Sequence, residues 1–232
     1  MILSFRPSCF SGRRFAPVYV PPLFAMGEEA EVMAFCSAHP FALLVTHGRQ
    51  GLYATHLPVI LKREATAGAA FFGHVARANP HWQNTDSGSE ALLVFSGPQA
   101  YVTPSWYATK KETAKVVPTW NYASVHVRGH VSWPHDAAFL RENLSDLTDR
   151  HEAGRDHPWA MSDAPDDFLA MQMRAIVGMR FAVSSFDAKM KMSQNRPAAD
   201  VDGVISGLAA SGEAGDAAVA GLVAALRGDR LR

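Results

Sequence analysis

The sequence predicts an α+β chain: a six-stranded antiparallel β-barrel with helices laid over it. Three observations carry this. Residues Ser124–Trp133 alternate, with Val125, Val127, Gly129, Val131 and Trp133 on one face and Ser124, His126, Arg128, His130 and Ser132 on the other, as a strand with one dry face does. Ile176–Phe186 repeats the alternation through Val177, Met179, Phe181 and Val183. The remaining apolar runs are short and joined by brief connections, which suits antiparallel pairing.

The elements follow in order. Glu28–Ala38 sets Val32, Met33, Phe35 and Cys36 at helical spacing, and Pro40 ends it. Phe41–Thr46 has the length of a strand, His47–Gly51 makes a glycine-bearing turn, and Leu52–Leu61 returns. Gly68 and its Ala/Thr-rich surroundings form a hairpin loop before a third strand, Ala69–Val75. Leu92–Phe95 and Ala100–Thr103 flank Ser96-Gly97-Pro98, whose Gly-Pro pair reads as a turn. Pro134 stops the Ser124 strand. Asp136–Arg150 then places Phe139, Leu140, Asn143, Leu144 and Leu147 along one helical stripe. Ala164–Ala175 begins with Pro165, Asp166 and Asp167, which suit a helix start. From about residue 198 two short helices divide at Ser211-Gly212. No linker separates two domains, so residues 18–227 read as one unit.

Composition narrows the function. The chain has 232 residues, 48% of them hydrophobic and 19% charged, enough for a core. Twenty-two basic and twenty-two acidic residues cancel, so the charge of a general nucleic-acid binder is absent. No apolar run has the ~20 residues of a membrane span. Two cysteines, Cys9 and Cys36, form neither a CxxC pair nor a disulfide framework, and the expected compartment is the cytoplasm. GxGxxG, GxxxxGK[ST] and GxSxG are missing. His151-Glu152-Ala153-Gly154-Arg155 has Arg where a zincin needs its second His. His126 and His130, four apart on a strand, stand ~13 Å apart and share no metal ion.

Polar and aromatic residues cluster instead in blocks at strand ends. They are Gly73–Trp82, Gly97–Tyr107, Val117–Tyr122 and Lys189–Arg196, with a weaker one at Ala54–Pro58. Guanidinium and ammonium groups, amides, hydroxyls and flat rings suit a ligand with an anionic end and a planar polar ring.

These blocks carry a resemblance. Tyr19-Val20-Pro21-Pro22-Leu23-Phe24, His39-Pro40-Phe41, Thr55-His56-Leu57-Pro58, His74–Pro80, Pro104-Ser105-Trp106-Tyr107, Pro118-Thr119-Trp120-Asn121-Tyr122 and Ser193-Gln194-Asn195-Arg196 resemble the PaiB family of FMN-binding negative transcriptional regulators, from about Val18 to Leu226. The resemblance implies an FMN-binding split barrel, a homodimer, and flavin sites at the subunit interface. Val18 stands where such chains have their initiator Met. Residues 1–17 are therefore expected to be a disordered extension or a start-site artefact.

Residue chemistry and family position together suggest a ligand set. Arg77 holds the FMN phosphate, helped by Asn79 and by Lys191 or Arg196. Thr55, His56 and His74 line the ring or ribityl chain. Ser105, Trp106, Trp120 and Asn121 close the pocket from the partner subunit, and Gln194 joins the cofactor-binding residues. DNA and a partner regulatory protein are candidate partners, with Lys110, Lys111 and Lys115 the one candidate DNA patch. No residue declares itself a general acid or base, although His56, His74 and His126 have the chemistry. A flavin-dependent oxidoreductase on the same barrel is the alternative, and a haem-binding protein the weaker third reading.

Overall fold

The computed structural model describes residues 18–64 and 68–229. The extension expected over residues 1–17 lies outside them. Seven strands form one curled antiparallel sheet: β1 Phe41–Gly48, β2 Gly51–Pro58, β3 Ile60–Glu64, β4 Gly68–Ala76, β5 Ser89–Val102, β6 Thr119–Ser132 and β7 Ile176–Lys191. Their order is β2-β1-β5-β6-β7-β4-β3.

The count is seven, not six, because the return strand breaks at Val59. Pro58 ends the ladder with β1, where it faces Phe41. The Val59 N–H donates to the Pro40 carbonyl (2.9 Å) and its side chain is buried. From Ile60 the chain pairs with β4 instead. One residue thus hands the chain from one flank of the barrel to the other.

Ser96-Gly97-Pro98 is not a turn either. β5 runs through it with a bulge between Ser96 and Gln99. The extra residue flips the inward parity from Ala91, Leu93 and Phe95 to Ala100 and Val102. Gly97 fits there because a Cβ would meet the Phe35 ring at 2.6 Å. A second bulge sets Ser185 and Val183 opposite Arg128 and Gly129. Inward residues change from Val177, Met179 and Phe181 to Ala188 on β7 and to Met192 just past its end. This lets β7 continue to Lys191, beyond the Phe186 end that a fixed period of two predicts.

Inside the curl, Phe71 and Phe95 meet at 5.0 Å, surrounded by Phe181, Leu44, Leu93 and Met179, all fully buried. Each such side chain contributes roughly 1.5–3 kcal/mol on burial. Helix α1 (Glu29–Ala38) adds Val32, Met33 and Cys36 to the core. Burial pushes the Cys36 thiol up to about 12. Two short helices follow, α2 (His81–Asn84) and α3 (Lys110–Thr113). Helix α4 (Ala137–Glu152) is capped by the Asp136 carboxylate, which accepts from the Phe139 N–H at 2.9 Å. It lays Phe139 against Phe72 (5.8 Å) and reaches Lys62 of β3 through Glu142 and Asp146. Helix α5 (Asp166–Arg174) leads into β7. Helices α6 (Ala198–Ala210) and α7 (Asp216–Asp229) pack on each other and on β5. No helix among the described residues is long and apolar enough to cross a membrane.

At the second bulge a Cβ on Gly129 would collide with the Ala182 carbonyl and sit 2.6 Å from the Phe181 ring. Gly129→Ala should therefore cost about 2–3 kcal/mol in urea unfolding. Gly221→Ala, in α7 with nothing within 4 Å of the new carbon, should be neutral or stabilising by about 0.5–1 kcal/mol.

Candidate functional site

The barrel is open along one seam. β2 ladders only with β1, and β4 beyond Phe72 ladders only with β7. The facing edges come close at Gly73, where a Cβ would lie 2.8 Å from the Pro58 carbonyl and 3.2 Å from Leu57. Past that contact the chain leaving β4 carries Arg77, Asn79 and His81.

Arg77 is fixed by backbone acceptors. Its Nε donates to the Arg174 carbonyl (2.6 Å) and its Nη2 to the Ile176 carbonyl (2.8 Å). Its own N–H donates to Ala175 O, and its carbonyl accepts from Trp82 Nε1. Among the described residues no carboxylate pairs with it. The guanidinium is therefore a positioned cation with N–H donors to spare.

Behind it runs a chain of neutral polar groups. Asn79 Nδ2 donates to Thr55 Oγ1 (3.2 Å), and Asn79 Oδ1 accepts from the His81 N–H (2.9 Å). Thr55 Oγ1 lies 2.8 Å from His81 Nδ1. His81 Nε2 lies 2.8 Å from Thr46 Oγ1, which lies 2.8 Å from Thr85 Oγ1. Burial holds the His81 pKa down to about 4, so the ring is neutral at pH 7. The sequence gives Thr46 and Thr85 no role, and His81 appears in it only as a member of the Gly73–Trp82 block. The available signal was Thr46 itself: it shares the inward parity of Ala42 and Leu44, and a buried hydroxyl there needs a partner.

The other expected ligands lie elsewhere. His56, next to Thr55 on β2, faces the outside of the sheet. It stacks on Phe41 (5.6 Å, 19°) at an open groove of about 470 Å³ that also includes His39, Leu43, Val94 and Ser96. His74 sits opposite Gly178, whose missing Cβ faces Phe139 of α4. Paired residues share a face, so His74 lies beneath α4, away from Thr55. Burial lowers its pKa, and its Nδ1 has no hydrogen-bond partner.

A second cluster lies at the far end of β5, β6 and β7. Asn121, fully buried, meets Ser193 Oγ at 3.0 Å and holds that residue at φ 62°. Lys191 Nζ donates to Thr119 Oγ1 (2.6 Å) and the Trp120 carbonyl (2.7 Å). Burial, then repulsion from Lys189 and Arg196, lowers its pKa. Arg196 stacks on Tyr107 at 4.0 Å, and Lys189 lies over Tyr19 and Tyr122. Trp106 lies against α6, where a Cβ on Gly207 would sit 2.5 Å from its Cγ. Gln194 closes its own turn, donating to Met190 O and accepting from the Met192 N–H, both at 2.6 Å. Ser105 is exposed and accepts from Lys110 at 3.4 Å. Thr55 is in register with Leu44, Leu93 and Val127, six residues along β6 from Asn121. That offset alone is ~20 Å along the strands, and Arg77, tied to Ile176, stands at the opposite end of β7 from Lys191, so the two clusters do not meet within one subunit.

The family described as "Putative FMN-binding domain" matches residues 18–185. The chain belongs to this family. The match includes Thr55, Arg77, Asn79 and His81 and stops before Lys191. "Protease synthase and sporulation protein PAI 2" of Bacillus subtilis is 31% identical over 82% of this chain and 89% of its own. An uncharacterized protein of Emericella nidulans, AN0679, is 29% identical over 82% and 90%. Among solved structures, the conserved hypothetical protein Rv2991 of Mycobacterium tuberculosis superposes with TM-score 0.53 at 12% identity, covering 78% and 94%. Flavocytochrome Anf3 of Azotobacter vinelandii gives 0.50 at 18% identity, covering 72% and 69%. These two likenesses establish the split-barrel fold of this FMN-binding-family chain.

The buried ring at the seam has a measurable consequence. Unfolded, His81 protonates near pH 6.5; folded, only near 4. Between those values the unfolded chain holds the extra proton. The His81 contribution is therefore whole above pH 6.5 and is lost as pH falls toward 4. His74 and His126, also lowered, act in the same sense. In urea unfolding at pH 7.5 and 4.5, His81→Gln should lose about 2–3 kcal/mol less than the parent chain between the two conditions.

Proposed function

We propose that the chain binds FMN at the open seam, as a homodimer in which the partner's far cluster closes each site. The observation that carries this is Arg77: a cation locked by the Arg174 and Ile176 carbonyls, free of any described carboxylate, beside Asn79 and Thr55. That donor set fits a phosphate monoester. The groove at His56 and Phe41 offers a flat wall on which the ring lies. Bound FMN supplies a ring that takes up one or two electrons. We leave His74 out of the ligand set, since it faces α4.

Two features favour the dimer. Phe41 and Leu52, on the outer face of β1 and β2, are 64% and 77% exposed, and apolar surface of that kind marks an interface. The separation between the clusters, at opposite ends of β7, is closed when a second subunit brings Trp106, Trp120, Asn121, Lys191 and Arg196 to the seam.

We attach a regulatory role, exerted through a partner protein. The relative in Bacillus subtilis carries the name "Protease synthase and sporulation protein". Direct DNA reading is poorly supported: Lys110 and Lys111 sit on a four-residue exposed helix and Lys115 follows a left-handed Ala114, too short an element to fill a major groove.

Titration with FMN, followed by visible absorbance and by light scattering, should give one flavin per subunit and two subunits per particle. Arg77→Ala should weaken FMN about tenfold to a hundredfold with the dimer intact. A parent chain that stays colourless at saturating FMN would sink the proposal. Phe41→Asp should shift the particle toward one subunit and weaken FMN with it. Bleaching of the flavin by NAD(P)H, with turnover on an added acceptor, would move the role from regulator to oxidoreductase.

A further inference from the structure

We infer that His81 is held as its Nδ1–H tautomer and is a positioning residue, making the Thr55 hydroxyl an obligate donor to a phosphate oxygen of the cofactor. The part concerning the cofactor rests on the FMN reading above; the tautomer does not.

Counting protons along the row gives the direction. Thr85, Thr46, neutral His81 and Thr55 bring one proton each, four in all. The three contacts between them, each at 2.8 Å, use three. One proton is left for a partner outside the row. Thr85 and Thr46 are each 2% exposed and His81 is 0% exposed. Among the described residues neither threonine hydroxyl makes a further hydrogen bond. A surplus proton there is stranded and carries its full desolvation cost. Thr55 alone is half-buried. The surplus therefore settles at Thr55. Thr85 donates to Thr46, Thr46 to His81 Nε2, and His81 Nδ1–H to Thr55.

Asn79 sets the other side of Thr55. Its amide cannot turn over, because Oδ1 accepts from the His81 backbone N–H. Nδ2 therefore faces Thr55 as a donor. Thr55 Oγ1 thus accepts from both Asn79 and His81, which fills its two lone pairs. Its own O–H is then the one capacity it has left. A group so arranged accepts nothing further and serves only an acceptor, which an anionic oxygen is. The ring holding this polarity is fixed in plane by Tyr53, stacked at 5.5 Å, and by Trp133, edge-on at 5.6 Å.

Long-range ¹H–¹⁵N spectra of the unliganded full chain at pH 7.5 should show His81 Nδ1 protonated and Nε2 as the acceptor-type nitrogen. The opposite tautomer overturns the inference. FMN titrations then test its consequence. Thr55→Val and His81→Phe should each weaken FMN about tenfold, and Thr55→Ser should restore most of it. The double variant Thr55→Val/His81→Phe should bind no worse than Thr55→Val alone, since His81 acts through that hydroxyl. Losses that multiply overturn the positioning role. A parent chain that takes up no FMN removes the cofactor reading, while the tautomer measurement still decides the polarity of the row.

Discussion

Gly73 lets β4 approach the Pro58 carbonyl closely, and no ladder continues from that contact. An unpaired strand edge leaves peptide groups in need of partners. Here the chain leaving β4 turns back across the opening. Arg77 ties it to the carbonyls before and at the start of β7, and Asn79 ties it to Thr55 of β2. Had β2 and β4 zipped together, the barrel would have closed and Thr55 would have no route outward. The incomplete closure leaves donors held in place by the fold, with little conformational entropy still to lose on meeting a ligand.

Charge is distributed to the same effect. The chain is neutral, and many of its cations are matched: Arg49 with Asp86, Lys62 with Glu142 and Asp146, Arg128 with Asp187, Arg180 with Glu64, Arg227 with Asp202. Arg77, Lys189, Lys191 and Arg196 have no carboxylate partner among the described residues. They engage carbonyls and tyrosine rings instead, which orient a cation without cancelling it. Local positive potential thus survives in a molecule with no net charge, at the two places where the polar-aromatic blocks gather.

How much of this could be read beforehand depended on parity. β6 keeps one inward parity from Val125 to Val131, so its faces were legible from sequence. β5 and β7 each insert one residue, and no hydropathy pattern marks where the inward set changes sides. Pro58 was visible, but that Val59 would pass the chain to another partner strand depends on a long-range pairing. Thr55 and His56 are neighbours in sequence and were grouped in one role, yet a strand sends them to opposite faces. His81 belongs to a polar-aromatic block yet carries no role by sequence alone, because its significance comes from Thr46, which is far from it in the chain.

Cys36 packs at 1% exposure against the same core, with its thiol held far above neutrality. Only a thiolate attacks a peroxide or a disulfide at a useful rate. Packing and protonation together therefore disfavour sulfenic acids and mixed disulfides at the one cysteine among the described residues. Thiol chemistry is thus withheld from the interior of the barrel, and the core beside α1 keeps its packing whatever the redox state of the surroundings.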